Sequence, residues 1–363
     1  MLTATSWPRR ARAPYAPAST TKVLTSFAAL TTIDPQTRFT TRTVLEGDKL
    51  VLVGGGDPYL STKRAGSRDD RVFQADLTTL ARRTAAALKK SGTARVTLGY
   101  DASLFDGPAV SPAWSDSYLS ENIVTPVSAL WADEGVVDGL RSRDPAAAAA
   151  SGFARLLAQR GITVSGEASA VPAPAAASTI AEVRSATVAQ IVETLMRVSD
   201  NQAAEVMLRH VALAGGGPAT FDGGAKAVRA ALSAADVDVE GLRLNDGSGL
   251  ARSNRISPET LVETLYASST SPRTSGLAAD LPVSGFTGTL VERFMGLDAA
   301  LGTVRAKTGT LRGIHSLAGY ALDRDGRPVW FAVMADRADE DAPLEARAAL
   351  DRVAAAIASC SCG

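Results

Sequence analysis

The chain has 363 residues, 45% of them hydrophobic and 21% charged, with 38 basic side chains against 38 acidic ones. This composition excludes wholesale disorder, and a net charge of zero gives no support to nucleic-acid or bilayer-surface binding as a main activity. The length fits about two or three domains, and no apolar run is long enough for an integral membrane span.

The first informative stretch is Tyr15-Ala16-Pro17-Ala18-Ser19-Thr20-Thr21-Lys22-Val23-Leu24. Pro17 favours a turn or extended backbone ahead of Ser19, and Val23, Leu24, Phe27, Ala28 and Leu30 then recur at helical spacing. Ser19 and Lys22 therefore share one face at the head of a helix. Two readings stay open: a serine nucleophile with a lysine base, or a helix N-cap serine with an exposed lysine. Lysines occur only at 22, 49, 63, 89, 90, 226 and 307. Among basic side chains only lysine can give up its proton to act as a base, so a lysine within a motif carries weight.

Further along, 38–45 alternates like a strand, turns at Glu46-Gly47-Asp48 and returns over 49–53 as a hairpin. Gly54-Gly55-Gly56-Asp57-Pro58 follows. No Lys-Ser/Thr pair completes a phosphate loop there, so a tight structural turn is expected. A helix over 74–91 and a strand over 94–100 precede an irregular stretch, 105–131, rich in Pro, Trp and Ser. Trp114 and Trp131 are expected to anchor that long loop, and Asp116 and Tyr118 to lie on its solvated side. Helices are expected over 145–161, 186–198, 202–213, 222–235 and 257–268, with a linker at 172–177. Ser257 and Pro258 mark a helix start. Strands at 303–310, 314–322 and 328–336 are consecutive, and a helix over 343–358 ends the pattern. The layout is α+β, with helices flanking a run of antiparallel strands.

Ser19-Thr20-Thr21-Lys22 is the only Ser-x-x-Lys of the chain, and Lys307-Thr308-Gly309 its only Lys-Thr-Gly, with Ser199-Asp200-Asn201 between them. A decoy, Ser120-Glu121-Asn122, falls in the irregular loop, whereas Ser199 stands at a helix-to-helix junction. The three strings occur in the order found in penicillin-binding proteins and serine β-lactamases. With Gly54-Gly55-Gly56-Asp57-Pro58-Tyr59-Leu60, Ala203-Ala204-Glu205 and Asn245-Asp246-Gly247-Ser248-Gly249-Leu250, the chain resembles the class C low-molecular-mass penicillin-binding proteins. These are D-alanyl-D-alanine carboxypeptidases and endopeptidases of peptidoglycan. The resemblance runs from about Ala13 to the last helix.

It implies a transpeptidase-like catalytic domain over 1–54 and 181–363, with one smaller domain inserted over 55–180. It also implies roles. Ser19 would attack the carbonyl of the penultimate D-alanine, Lys22 would be its base, and Lys307 would help depress the Lys22 pKa. Ser199 would relay the proton to the leaving amine, and Asn201 would hold a substrate amide. The backbone N–H groups of Ser19 and Thr310 would form the oxyanion hole. The string of Lys307, Thr308, Gly309 and Thr310 would bind the terminal carboxylate. The implied partners are peptidoglycan stem peptides and β-lactam antibiotics, in an extracytoplasmic location (periplasm or cell wall).

Other residues read as structure first. His210 and His315 lack a Gly-x-Ser-x-Gly context for a serine triad; His315 could also border the pocket. Asp246, Ser248 and Arg252 fit either the site or a glycine-rich Asx turn. Cys360 and Cys362, one residue apart, form neither a zinc set nor a long-range disulfide framework, and no metal or cofactor is expected. Residues 1–10 lack the apolar core of a signal peptide. Family members also carry a helix and strands ahead of the Ser-x-x-Lys helix, so an N-terminally truncated chain with those strands missing is expected. The alternatives are a serine β-lactamase and a non-catalytic peptidoglycan-binding or β-lactam-sensing module.

Overall fold

Helix α1 (Thr21–Thr32) is buried on every face from Thr21 to Leu30, which makes it the axis of the larger core. Val23, Leu24, Phe27 and Leu30 meet apolar side chains from four further helices: α5 (Val188–Val198), α6 (Asn201–Ala214), α7 (Phe221–Ser233) and α8 (Pro258–Thr270). A helix buried on every face is stable only where such neighbours surround it, and here the buried set includes the polar Thr21, Lys22, Thr25 and Ser26. The computed structural model describes residues 11–63 and 72–362; the expectation about the N-terminal ten residues lies outside them.

Five strands form the first sheet: β1 (Arg38–Glu46), β2 (Lys49–Val53), β3 (Arg95–Asp101), β6 (Thr163–Ala170) and β7 (Ser178–Thr187), in the order β6-β3-β2-β1-β7. Helices α2 (Leu77–Lys90) and α4 (Pro145–Ala158) pack on it around a second core containing Leu50, Leu80, Leu98 and Phe153. Between β3 and α4 the chain forms α3 (Ser117–Ser120) and a small ribbon, β4 (Val136–Val137) with β5 (Leu140–Arg141).

This sheet departs from the expected antiparallel run. β2 pairs with β3, and β3 with β6, in parallel. The cause is connectivity: α2 and α4 cross over between those strands, and a crossover returns the chain in the same direction. Hairpin β1–β2 lies in the same sheet as β3, β6 and β7, so the sheet joins strands on both sides of residue 54.

The second sheet is antiparallel throughout, in the order β10-β9-β8, from β8 (Val304–Leu311), β9 (Ile314–Leu322) and β10 (Pro328–Ala335). It follows a short helix, α9 (Gly276–Ala279), and packs its own small core against α10 (Pro343–Ala358) through Val304, Leu317, Phe331 and Leu350. β8 and β9 also touch the turn that precedes α1. The head of α1 is thus held between a helical cluster and a sheet edge.

Candidate active site

Ser19 sits in a 3-10 turn, Ala18–Thr20, that runs straight into α1. Its hydroxyl caps no backbone N–H, and Lys22 is fully buried. The reading as a capping serine beside an exposed lysine is therefore overturned. The backbone just before Ser19 is left-handed, with Ala18 at φ 48°, a conformation that costs a non-glycine residue energy and survives where packing enforces it. Packing enforces it here. A Cβ on Gly249 would lie 1.8 Å from the Ala18 carbonyl oxygen, and one on Gly309 would lie 2.5 Å from the Pro17 carbonyl oxygen and 3.1 Å from Ser19 N. Only glycines let the turn and β8 approach so closely. Ser316 on β9 adds a hydrogen bond of 2.6 Å to the Pro17 carbonyl.

Lys22 Nζ lies 2.9 Å from Ser19 Oγ, 2.7 Å from Asn201 Oδ1 and 2.8 Å from the Ser248 carbonyl oxygen. Burial pushes its pKa down to about 8, against the opposing pull of Glu205, Asp200 and Asp246. Lys307 is held well below its ordinary value first by burial and then by Lys22, so the two amines disfavour one another's charge across the site.

Ser199 ends α5 in the left-handed conformation, φ 62°. Asp200 then caps α6 by accepting from Ala203 N at 3.0 Å, which makes Asn201 the first helical residue and turns it toward Lys22. Lys307 Nζ donates to Ser199 Oγ at 2.7 Å and to the Thr308 carbonyl at 2.9 Å. The Thr308 hydroxyl donates to Thr289 Oγ1 at 2.9 Å. Thr310 is exposed on β8, opposite His315 on β9. Two hydrogen-bonded groups thus line the site, Ser19 and Asn201 on Lys22 and Ser199 on Lys307, with Thr308, Gly309 and Thr310 following Lys307 on β8.

A third wall was only partly legible from sequence. The turn at 246–249 lies along α1, and Asp246 accepts from Gly249 N, Ala251 N, Asn254 Nδ2 and Trp114 Nε1. Both readings of that segment therefore hold at once: Asp246 orders the turn, while the Ser248 carbonyl touches Lys22. Arg252 is exposed and donates to the Arg312 carbonyl. Glu205, fully buried on α6, accepts from Gly247 N and Ser248 N. Sequence reasoning assigned it no role, although a carboxylate between Ala203-Ala204 and Val206-Met207-Leu208 is signal enough. Thr289 and Ser316 gave no signal, being ordinary hydroxyls in unremarkable surroundings.

The two tryptophans do anchor the long loop, Trp114 to Asp246 and Trp131 to the Asp57 and Pro58 carbonyls. Asp116 is exposed and Tyr118 half-buried. His210 is structural: it hydrogen-bonds the Gly56 carbonyl at 2.8 Å and stacks on Phe39 at 3.6 Å. His315 is buried, and neither ring nitrogen has a partner among the described residues. Among those residues no cluster of three or more His, Cys, Asp or Glu could hold a metal ion, and no helix is long and apolar enough to cross a membrane.

Known proteins resemble this chain over nearly its whole length. The profile of the D-Ala-D-Ala carboxypeptidase 3 (S13) family matches residues 3–139 and 138–357. A carboxypeptidase of Mycobacterium tuberculosis is 36% identical, with 98% of this chain and 78% of the relative covered. Carboxypeptidase DacB of Mycolicibacterium smegmatis gives the same identity and coverage, 36%, 98% and 78%. Among solved structures, penicillin-binding protein 4 (DacB) of Haemophilus influenzae superposes with a TM-score of 0.80 at 22% identity, over 94% of this chain and 91% of that one. That last likeness is one of fold, and it agrees with the α+β penicillin-binding-protein architecture expected from the sequence. The chain belongs to the D-Ala-D-Ala carboxypeptidase 3 (S13) family.

Proposed function

We propose that this member of the S13 family hydrolyses D-Ala-D-Ala-type bonds of peptidoglycan stem peptides through an acyl-enzyme on Ser19, with Lys22 as the general base. The observation that carries the reading is a fully buried lysine amine, 2.9 Å from a serine hydroxyl and with its pKa lowered to about 8. Near neutral pH a useful fraction of such an amine is unprotonated and can accept the Ser19 proton as Oγ attacks the carbonyl of the penultimate D-alanine. The Ser19 and Thr310 N–H groups would take the charge that develops on the carbonyl oxygen.

Collapse of the tetrahedral intermediate breaks the C–N bond. The departing D-alanine amine takes a proton through Ser199, whose hydroxyl lies 2.7 Å from Lys307 Nζ. Asn201 would hold a substrate amide, and Lys307 with Thr308, Gly309 and Thr310 would hold the terminal carboxylate. Water then attacks the ester carbonyl, its proton passes to Lys22, and Ser19 is released. A β-lactam mimics the peptide and would acylate Ser19; the Haemophilus protein of the same fold has been solved in complex with one. The substrate places the enzyme outside the cytoplasm, and the Cys360–Cys362 disulfide suits that compartment. The smaller domain, expected over 55–180, would on this reading take in hairpin 38–53, which shares its sheet.

The test is intact mass after incubation with benzylpenicillin, with peptide mapping and a Ser19→Ala control. A stable adduct on Ser19, absent in Ser19→Ala, is expected. Fast turnover of the penicillin without an adduct would point to a β-lactamase instead. No reaction from folded protein would leave only a binding module.

A further inference from the structure

The chemistry above leaves one fully buried carboxylate without a part, Glu205 on α6. Its oxygens accept from two successive backbone donors, Gly247 N at 2.9 Å and Ser248 N at 2.8 Å. From the other side, Thr25 on α1 donates to the Gly247 carbonyl at 2.8 Å. Gly247 itself lies against α6, where a Cβ would come within 2.7 Å of the Ala204 carbonyl oxygen. The Gly247–Ser248 peptide is therefore clamped between two helices. The next carbonyl along the chain, that of Ser248, faces Lys22 Nζ at 2.8 Å.

A neutral amine has two N–H bonds and one lone pair. The Ser248 carbonyl can only accept, and so can Asn201 Oδ1. Once these two take the N–H bonds, the lone pair is left for the Ser19 hydroxyl. We propose that Glu205 is a positioning residue for the general base, fixing through the Gly247–Ser248 peptide the carbonyl that aims the Lys22 amine at Ser19. This rests on the reading of Lys22 as the base.

Glu205 also acts by charge. The charged groups that bear on Lys22 are Glu205 on α6, Asp200 at the α5–α6 junction and Asp246 in the turn, all of which stabilise its protonated form, with Lys307 across the site on β8. Those that bear on Glu205 are Asp246 and, on its own helix, Arg209. Burial and Asp246 push the Glu205 carboxyl itself up to about 8, so it titrates in the same range as Lys22, and over that range Glu205→Gln removes one support of protonated Lys22. The pH below which acylation fails should then move down.

The experiment compares the second-order rate constant for benzylpenicillin acylation across pH for the wild type, Glu205→Gln and Thr25→Val, with the folded fraction of each measured. Glu205→Gln is expected to acylate about 100-fold more slowly, as a small misplacement of a catalytic group does, and to shift its acid limb to lower pH. Thr25→Val, which removes an uncharged strut of the same peptide, is expected to slow acylation about threefold to tenfold, with the acid limb in place. Wild-type rate and acid limb in folded Glu205→Gln overturn the proposal. So does a rate loss that only tracks its unfolded fraction. If Glu205→Gln does not fold, an unimpaired Thr25→Val overturns it, and a slowed Thr25→Val with an unmoved limb supports it. Failure of the wild type to acylate at Ser19 would instead strike the underlying reading.

Discussion

The two lysines of the site are equally buried but differently surrounded. Lys22, on the helical side, faces Glu205, Asp200 and Asp246 and comes down to about 8. Lys307, on the sheet side, meets the Ser199 hydroxyl and the Thr308 carbonyl, no carboxylate among the described residues supports it, and its pKa falls well below the ordinary lysine value. Burial pushes both amines down, so the difference comes from the carboxylates that support Lys22 and from the repulsion that Lys22 exerts on Lys307. The helical side is electrostatically complete without a ligand. The sheet side lacks an anion, and on the proposed reading the substrate's terminal carboxylate supplies it.

One substitution made at both places tests the contrast. Lys22→Arg keeps a cation but cannot give up its proton, and a general base contributes about 10²–10⁴-fold to rate. Benzylpenicillin acylation by Lys22→Arg should fall by about 10³-fold on that scale. Lys307→Arg should lose far less, about tenfold, because a guanidinium still binds a carboxylate. Stopped-flow acylation of the two variants measures both. Equal losses would break the comparison and give Lys307 a proton-transfer duty of its own.

A smaller effect follows from the depressed pKa of Lys307. A carboxylate arriving beside it raises that lowered pKa, so binding favours proton uptake. The sign is therefore fixed: affinity for a carboxylate ligand falls as pH rises. Calorimetry of D-Ala-D-Ala peptide binding to Ser19→Ala, in buffers of different ionisation enthalpy, should show net proton uptake. Release, or no exchange, would mean that Lys307 is already charged before ligand arrives.

The same contrast marks what the sequence disclosed. Both lysines, both serines and Asn201 were legible because each sits in a short string with a chemical reason for its spacing. α1 and the last three strands were legible because their apolar periodicity is strong. β6 and β7 passed unread: they are the edges of their sheet, and β6, with Gly166 in its middle, is exposed or half-buried along its length. Such edges show little apolar alternation. The parallel pairings also escaped, since they depend on where α2 and α4 return the chain. Glu205 and Thr25 act through a peptide 42 and 222 positions away from them respectively, and no local pattern encodes a contact of that kind.

The last test asks how much of the helical side depends on the long loop. Trp114 Nε1 donates to Asp246 Oδ2 at 2.8 Å, yet Asp246 also accepts from Gly249 N, Ala251 N and Asn254 Nδ2. Trp114→Phe keeps an aromatic ring in the buried slot and removes one donor of four. The cost should be about 1.5–3 kcal/mol of stability, the range for a hydrogen bond to a charged group, read by denaturant unfolding. Acylation should change by less than about threefold, because three donors still hold the turn and Glu205 holds the Ser248 peptide from the opposite side. A loss as large as that of Lys22→Arg would mean that the loop, rather than α6, sets the Ser248 carbonyl. The completeness of the helical side would then belong to the 105–131 segment.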